Sequence, residues 1–181
     1  EKAFYKCNSL QTVELSDSVV SIGDYAFSNC PNLEAFDLKN VKALGRYAFS
    51  SSTFESIDIS NIEDIGNGAF AESSLTKIVL PNGITSTGAN TFTNCTALKE
   101  IVIPDSVTLI GSYAFKGCNS LQSIQIPDNV SYIGDSAFNS CENLQSVYIP
   151  DSVTYIGRAA FSWIKDDATI YCETQRVANM L

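Results

Sequence analysis

The stretch IPDSVTLIGSYAFKGCNSLQSIQIPDNVSYIGDSAFNSC, from Ile103 to Cys141, contains almost the same segment twice, with a period of 23 residues. Phenylalanine marks this period along the whole chain, at steps of 21 to 23 residues: Phe4, Phe27, Phe49, Phe70, Phe92, Phe115, Phe138 and Phe161. A fixed period in the twenties is typical of a solenoid, in which each unit buries its apolar face only against its neighbours. The sequence therefore predicts about eight stacked coils.

Each repeat carries a strand signal that ends in a turn. The pattern L-x-x-I-x-I follows most of the repeat phenylalanines, as at Leu144, Val147 and Ile149, and its last two apolar positions alternate as in a strand. Pro150 follows directly, and proline lacks the N–H that a sheet ladder needs. Stacked coils would thus form a parallel sheet along one side, and the next segment, such as DSVTYIG, a short second strand.

Two further positions recur. A glycine precedes the phenylalanine by four residues in seven repeats: Gly23, Gly45, Gly66, Gly88, Gly111, Gly134 and Gly157. This glycine predicts either a positive φ or a close approach of two backbones, because a Cβ would oppose both. The segment A-F-x-x-C would place its Ala, Phe and Cys on one face of a helical or 3₁₀ turn.

The segments IPDSVTYIGRAAF and IGxxAFxxCxxLxxIxIP resemble the BspA-like class of leucine-rich repeats, which occurs in bacterial and some protist surface proteins. The resemblance covers nearly the whole chain. It implies an α/β repeat fold: a leucine-rich-repeat solenoid with a parallel β-sheet on one face, short second strands, helical or 3₁₀ turns and a C-terminal helical cap. The coils from Ser21 to Asn94 depart from the pattern, since Ser52 and Ser73 replace the cysteine and Thr87 replaces the isoleucine.

We expect residues 1–181 to form a single array of about eight coils, the first incomplete, within a longer protein. The pattern breaks after Phe161, and residues 162–181 are predicted to cap the last coil with a strand, ATIYC, and a terminal helix, ETQRVANML. Thr174 is placed to cap that helix, and Trp163 is expected to pack beneath it. The apolar face of the helix would consist of Val177, Met180 and Leu181.

Six cysteines offer a disulfide framework, but their positions favour buried free thiols. Five follow the repeat phenylalanine by three residues, and Cys172 lies where other coils have a strand isoleucine, so all six would point inward as small apolar residues. A bridge between neighbouring coils is sterically feasible. However, Cys95, Cys118 and Cys141 form a stack of three, which cannot pair completely.

The sequence contains no histidine, which excludes Ser-His and Cys-His nucleophile pairs and histidine metal ligands. It also contains no C-x-x-C pair, so a zinc site is not expected. The segment GNGAFA from Gly66 mimics a dinucleotide fingerprint, but it is the repeat motif and no long helix follows it. We therefore predict no enzyme activity, no catalytic residue, no cofactor and no metal.

Charge and hydropathy exclude two classes of partner. The net charge is −9 and there is no Lys/Arg run, so the chain repels phosphate backbones and nucleic acid is not a predicted partner. No apolar stretch approaches the roughly 18 residues of a membrane span, so no membrane insertion is predicted. The sequence opens without a signal peptide, and an extracellular or cell-surface location is implied only by the family resemblance.

One outward residue per coil lies between the two inward strand residues, and these residues form the predicted partner-binding column: Glu14, Asp37, Asp58, Val79, Val102, Gln125 and Tyr148. Its second half is apolar, and stacked exposed apolar residues often mark a partner surface. They can equally be present to stabilise neighbouring strands, by about 0.2–1 kcal/mol per pair. The first half is acidic, and its repulsion would be relieved by Lys39 and solvent, or by a bound calcium ion.

A second column lies on the opposite side of each coil, directly before the I-G pair: Ser21, Ala43, Asp64, Ser86, Leu109, Tyr132 and Tyr155. Its last members are apolar and aromatic. They would form either a second contact surface or part of the packing beneath the cap.

Together these patterns and the resemblance predict a non-enzymatic interaction or adhesion module of a surface-exposed or secreted protein. A protein partner, such as a host extracellular-matrix or serum protein, would dock on the exposed face of the parallel sheet. Two alternatives stay open. The array is either a structural spacer, with the binding function elsewhere in a longer chain, or a glycan-binding module that uses Tyr148, Tyr132 and Tyr155.

Overall fold

A computed structural model describes all 181 residues of the chain, which winds as a solenoid of parallel strands and turns. Its elements are short: β1 (Ser21–Ile22), β2 (Ala43–Leu44), β3 (Asp64–Ile65), β4 (Lys77–Val79), β5 (Glu100–Val102), β6 (Leu109–Ile110), β7 (Ser123–Gln125), β8 (Tyr132–Ile133), β9 (Ser146–Ile149), β10 (Tyr155–Ile156), β11 (Thr169–Cys172) and α1 (Gln175–Ala178). The strands form four parallel sheets, ordered β1-β2-β3, β4-β5, β6-β8-β10 and β7-β9-β11. The predicted leucine-rich-repeat solenoid is confirmed.

Two sides of the solenoid carry the strands. The sheet face contains β4, β5, β7, β9 and β11, whereas the second-strand face contains the six strands that end just before a repeat glycine or its equivalent: β1, β2, β3, β6, β8 and β10. Equivalent residues of neighbouring coils pair in register, as Val79 does with Val102 and Tyr155 with Tyr132. Each outward column is therefore continuous wherever the strands pair.

The sheet face has no strand in its first three coils, although the sequence pattern predicts one there. In the second and third coils, an aspartate in the outward column explains the difference. The carboxylate of Asp37 accepts a hydrogen bond from the N–H of Lys39 at 2.8 Å, and that of Asp58 accepts one from the N–H of Ser60 at 2.9 Å. Such local bonds favour a turn and compete with a strand ladder.

The core contains a column of stacked aromatic rings. The eight repeat phenylalanines stack from Phe4 to Phe161, with ring centroids 5.2 to 5.9 Å apart and interplanar angles of 12° or less. The five from Phe49 to Phe138 have no solvent exposure. Burial of one such side chain contributes about 1.5–3 kcal/mol relative to its exposure. The stack thus helps to hold the coils in register.

The segment from each repeat glycine to the cysteine position forms a third side, the turn face. In one coil, the N–H groups of Tyr113, Phe115 and Gly117 donate to carbonyls 22 residues later, at 2.8 to 2.9 Å. The N–H groups between them close i→i−3 turns. Tyr113 and Gly117 consequently have left-handed backbones, with φ of 59° and 72°. The expected helical or 3₁₀ turn is thus a series of tight turns that is hydrogen-bonded to the next coil.

The repeat glycine allows two backbones to approach closely. A Cβ at Gly134 would lie 2.8 Å from the carbonyl carbon of Gly111, and a Cβ at Gly66 would lie 2.6 Å from that of Gly45. Among the seven repeat glycines, only Gly88 has a positive φ, of 72°. Of the two explanations that the sequence offered, close approach accounts for the repeat.

All six cysteines are free; four are buried and Cys7 and Cys172 are half-buried. Each buried thiol donates a hydrogen bond of 3.0 to 3.2 Å to the carbonyl of the repeat phenylalanine one coil earlier, so that a thiol ladder runs along the core. Burial raises the pKa of Cys95 to about 11, that of Cys141 to about 12 and that of Cys118 well above its ordinary value. These thiols are therefore structural donors.

Helix α1 covers part of the C-terminal end. Its Val177 is buried, and its Arg176 donates hydrogen bonds to the carbonyls of Asp151 and Val153, the latter at 2.9 Å. The expected cap by Thr174 is wrong: this hydroxyl makes no bond to the helix and donates instead to the carboxylate of Asp151, at 2.5 Å. The helix is held to the last coil by these side chains.

Trp163 does not pack beneath the cap, contrary to expectation, and is 78% exposed. It occupies the second left-handed position of the last turn, with φ of 61°. Earlier coils place exposed residues such as Glu72 and Asn94 at this position, because the side chain there points away from the core.

We expect the change Arg176→Ala to lower the free energy of unfolding by about 1–2 kcal/mol, because two carbonyls lose a charged donor. The exposed ion pair with Asp151 adds little. Urea denaturation measures the loss, and Arg158→Ala is the matched control, since that guanidinium forms no hydrogen bond or ion pair. Equal stability of the two variants would contradict this role of Arg176.

Candidate interaction surface

The structure exposes six of the seven predicted column residues and leaves Tyr148 half-buried. Val79 is 52% exposed and Val102 is 44% exposed, and the two lie side by side on β4 and β5. Gln125 pairs with Tyr148 across β7 and β9. Because β5 and β7 belong to different sheets, the column consists of two strand-paired parts and a strandless acidic part.

Val79 and Val102 form an apolar step beside a charged pair. Two residues before each valine, the Lys77 ammonium lies 2.7 Å from the Glu100 carboxylate, and both side chains are more than half exposed. An exposed pair of this kind contributes little to stability. It does place one positive and one negative group next to the apolar step, and both can form hydrogen bonds with a partner.

A groove of about 410 Å³ adjoins this step. It lies between the third coil and β4, where the third coil has no strand with which β4 could pair. Its walls combine apolar and acidic side chains: Ile57, Val79, Pro81, Val102, Pro104 and Asp58. The break in the sheet thus creates a concave site in the middle of the column.

Tyr148 is less available than its position in the sequence indicates. Its hydroxyl donates a hydrogen bond to the carboxylate of Glu173 at 2.6 Å, and this bond raises the pKa of Tyr148 to about 12. The same carboxylate accepts a bond from the N–H of Asp151. The phenol is therefore bound to the strand–helix junction of the cap.

Tyr171 extends the column and was missed by the sequence analysis. It pairs with Tyr148 across β9 and β11 and is 58% exposed. The signal was present, because the alternation in ATIYC places Tyr171 between Ile170 and Cys172, as Tyr148 lies between Val147 and Ile149. The final strand therefore contributes a more accessible aromatic residue than the coil before it.

The acidic half of the column contains structural carboxylates. The bond from the N–H of Ser60 lowers the pKa of Asp58 below its ordinary value. The ammonium of Lys39 forms its ion pair with the carboxylate of Asp17, at 3.0 Å, and attracts Asp37 more weakly. No group of three or more Cys, Asp or Glu side chains lies close enough together to hold a metal ion. The acidic residues thus give this half a negative surface.

The second-strand face brings Leu109, Tyr132 and Tyr155 together, as its sequence column predicts. The rings of Tyr132 and Tyr155 stack with centroids 4.6 Å apart at 10°. Stacking along the solenoid covers ring faces and presents ring edges to solvent, whereas sugars bind to ring faces. Tyr148 lies in a different sheet. The three tyrosines proposed for glycan binding therefore do not form one platform.

No helix of the chain is both long and apolar enough to cross a lipid bilayer.

Comparisons with known proteins agree with this architecture. The chain is similar to a leucine-rich cell surface protein from Faecalibacterium prausnitzii, with 26% identity and a TM-score of 0.53 over 99% of this chain and 64% of that one. It is also similar to a leucine-rich repeat protein from T. pallidum, with 23% identity and a TM-score of 0.56 over 91% of this chain and 70% of that one. The pneumococcal vaccine antigen PcpA is 20% identical, with a TM-score of 0.57 over 95% and 65% of the two chains.

The last two similarities concern the fold alone, and the chain spans 64% of the length of the F. prausnitzii protein. A search of curated proteins found no match. The model of the BspA-type leucine-rich repeat region matches residues 1–99 and 85–176, with six copies of the repeat. These two ranges contain nearly every coil of the solenoid. The chain therefore belongs to the BspA-type leucine-rich repeat family.

Proposed function

We propose that the chain is a non-enzymatic interaction module that binds a partner protein on its sheet face. The observation that carries this proposal is the apolar step of Val79 and Val102, which are 52% and 44% exposed beside a groove of about 410 Å³. Neither side chain contributes to the core. Apolar residues stacked at the mouth of a groove are typical of the centre of a protein interface.

Charge suggests which partner surface fits. The acidic half of the column and a net charge of −9 favour a partner whose contact edge is basic. Apolar side chains of the partner would then enter the groove, while Glu14, Asp37 and Asp58 select the orientation of the partner. Gln125, Tyr148 and Tyr171 would extend the contact towards the cap. The attraction between the acidic residues and a basic partner speeds association and weakens as salt is added.

One relative supports the cellular location that we propose for the module. The F. prausnitzii protein is described as a cell surface protein, which favours a surface-exposed or secreted location for this chain also. The chain would be one continuous array within a longer protein. Host extracellular-matrix and serum proteins are the partner class that we propose, because a protein exposed outside the cell meets these first.

The test is binding of the 181-residue chain to a panel of matrix and serum proteins at physiological salt. We expect saturable binding that weakens by about tenfold or more in Val79→Ser/Val102→Ser, because both apolar anchors are lost. These are surface changes, and each should cost no more than about 1 kcal/mol of stability.

The matched control is Leu109→Ser/Tyr155→Ser, on the second-strand face, where exposures of 36% and 45% are similar. This variant should bind as the unmodified chain does. Equal weakening in both variants would contradict the sheet face as the binding surface. A folded chain that binds nothing on the panel would favour the structural spacer instead.

A further inference from the structure

Strand β4 has one edge that pairs with nothing, in the middle of the array. On the edge that faces β5, the N–H of Leu80 donates to the carbonyl of Val102 at 3.0 Å. Alternate residues of a parallel strand bond to opposite neighbours, so Lys77 and Val79 point towards the third coil. Their N–H and carbonyl groups bond to no atom of the chain. An open edge of this kind is a template for another strand.

The facing wall of the groove is open as well. In the third coil, the N–H groups of Ile57 and Ile59 donate to no atom of the chain, and the carbonyl of Ile57 accepts no bond. The last backbone bond between the two coils lies before β4, from the N–H of Thr76 to the carbonyl of Glu55 at 2.9 Å. The groove of about 410 Å³ between the walls is within the range of ligand-binding pockets. It therefore has open backbone groups on both sides.

The third and fourth coils are joined firmly along one side only. On the turn face, three N–H groups of the third coil donate to carbonyls of the fourth at 2.7 to 3.0 Å: Gly68, Phe70 and Glu72. On the second-strand face no backbone bond joins them, because the N–H of Gly88 donates to the hydroxyl of Ser86 in its own coil. The equivalent N–H of Gly66 donates to the coil before it, at 2.7 Å. The groove can therefore widen without loss of a bond from β3 or β4.

The other breaks in the sheet face differ from this one. Between β5 and β7 the groove is smaller, about 310 Å³, and the second-strand face is closed there by the pairing of β6 with β8. Between the first and second coils a groove of about 420 Å³ has no strand in either wall. Only the groove beside β4 combines a regular open edge with a junction that can open.

The groove is negatively charged. The ammonium of Lys77 is neutralised by the carboxylate of Glu100, 2.7 Å away. Asp58 lines the groove and Glu55 lies at its end, and both are exposed and form no ion pair. A segment that carries a lysine or arginine would therefore be attracted to this edge.

We propose that the partner on the sheet face adds an extended segment of its own chain to the open edge of β4. The inference rests on the proposed function and specifies its partner: a segment with a free backbone edge, apolar at alternate positions and with a basic side chain. Its backbone would bond to the N–H and carbonyl groups of Lys77 and Val79, as in other cases of strand addition. A helix could not do so, because its backbone groups already bond to one another.

The side chains of the added segment would alternate between two environments. Those on the outer face would lie beside Val79 and extend the apolar step of the column. Those on the inner face would enter the groove, against Ile57 and Pro81, which line it. The apolar step and the open edge would thus bind the same segment, one through side chains and the other through the backbone.

An NMR titration of the 181-residue chain with a blocked synthetic peptide, in which valine and lysine alternate, tests the proposal. We expect saturable binding that is about tenfold or more tighter than that of a scrambled peptide with its valines in pairs, because only the alternating peptide has all its valines on one face of a strand. The two peptides have equal charge, so electrostatic attraction does not distinguish them. No binding, or equal binding of both peptides, would overturn the proposal.

Two variants separate the backbone of Val79 from its side chain. Val79→Pro removes the N–H, which bonds to nothing in the free chain, so the open edge should tolerate proline. Val79→Ala removes most of the side chain and keeps the N–H. We expect Val79→Pro to bind the alternating peptide about tenfold more weakly than Val79→Ala, because a peptide carbonyl loses its donor. Equal binding by the two variants would show that no backbone bond forms there.

Val20→Pro is the matched control. Val20 lies directly before β1, is 59% exposed, and its N–H also donates to no atom of the chain. This variant should bind the alternating peptide as the unmodified chain does. A loss equal to that of Val79→Pro would contradict the open edge of β4 as the site.

Amide exchange of the unmodified chain tests the edge without a substitution. The N–H of Val79 should exchange rapidly in the free chain and at least about tenfold more slowly with the peptide bound. The N–H of Leu80 is the internal reference, since it is bonded in both states. Protection of Val79 in the free chain, which would mean that the third coil closes the edge, or no protection on binding would overturn strand addition.

These failures are distinct from failure of the proposed function. The sheet face is tested separately, by the panel of matrix and serum proteins and the variant Val79→Ser/Val102→Ser. A panel protein that binds the unmodified chain and is lost in that variant would support the sheet face even if the peptide tests fail, and would leave side-chain contacts alone as its basis.

Discussion

Replacement of Gly134 by alanine is expected to lower the free energy of unfolding by about 3 kcal/mol or more, the upper range for overpacking in a protein interior. A Cβ there would lie 2.8 Å from the carbonyl carbon of Gly111, closer than real Cβ atoms approach backbone. The coil cannot move away cheaply, because the N–H of Gly134 bonds to the carbonyl of Ile110 at 2.8 Å and Phe138 is stacked on both sides. Denaturant unfolding followed by circular dichroism measures the loss.

Gly23 offers a control at the same position of the repeat. A Cβ at Gly23 would lie 3.4 Å from its nearest neighbour, the nitrogen of Glu1, and its φ is not positive. Gly23→Ala should therefore change stability by less than about 1 kcal/mol, with a gain favoured because alanine restricts the unfolded chain. Similar losses in the two variants would show that close backbone approach is not what fixes the repeat glycine.

Alkaline pH is expected to destabilise the solenoid through its thiol ladder. The folded pKa values of Cys95 and Cys141, about 11 and about 12, lie above the ordinary value of 9.0, and Cys118 is shifted in the same direction. Above pH 9 the unfolded chain therefore loses these protons first, and stability falls as pH rises. Each thiol contributes at most about 1.4 kcal/mol per pH unit between its unfolded and its folded pKa.

Urea unfolding between pH 7 and pH 11 measures this slope. The variant Cys118→Ala removes one titrating group, so its stability should fall less steeply with pH than that of the unmodified chain. The variant also loses a hydrogen bond to the Phe92 carbonyl and should be somewhat less stable at pH 7. A stability that does not change between pH 9 and pH 11, or equal slopes in both proteins, would contradict this role of the buried thiols.

The repeat pattern predicted the fold because each repeated residue has the same role towards the neighbouring coils. Phe115 stacks on its counterparts, Cys118 donates to a carbonyl one coil away, and Gly111 allows the backbone of the preceding coil to approach closely. Such roles follow from spacing. The left-handed positions could not be predicted in this way, because residues as different as Tyr47, Glu72 and Asn90 occupy them.

The candidate surface was harder to predict, because it depends on where the repeat is interrupted. The alternation of the strand correctly placed Val79 and Val102 outward. It could not show that the carboxylate of Asp58 accepts a hydrogen bond from the N–H of Ser60, that the third coil therefore lacks a strand, and that a groove opens beside β4. The exposure of Trp163 was missed for a related reason, since the end of the array lies outside the repeat pattern.

The most direct test of the sheet face as the binding surface is hydrogen–deuterium exchange of the chain, free and bound to a partner found on the panel. The interaction module proposed here predicts slower exchange on binding in peptides that contain β4, β5 and β9, with no change in those that contain β1, β2 and β3 on the second-strand face. Protection that is confined to the second-strand face or to the turn face would contradict it.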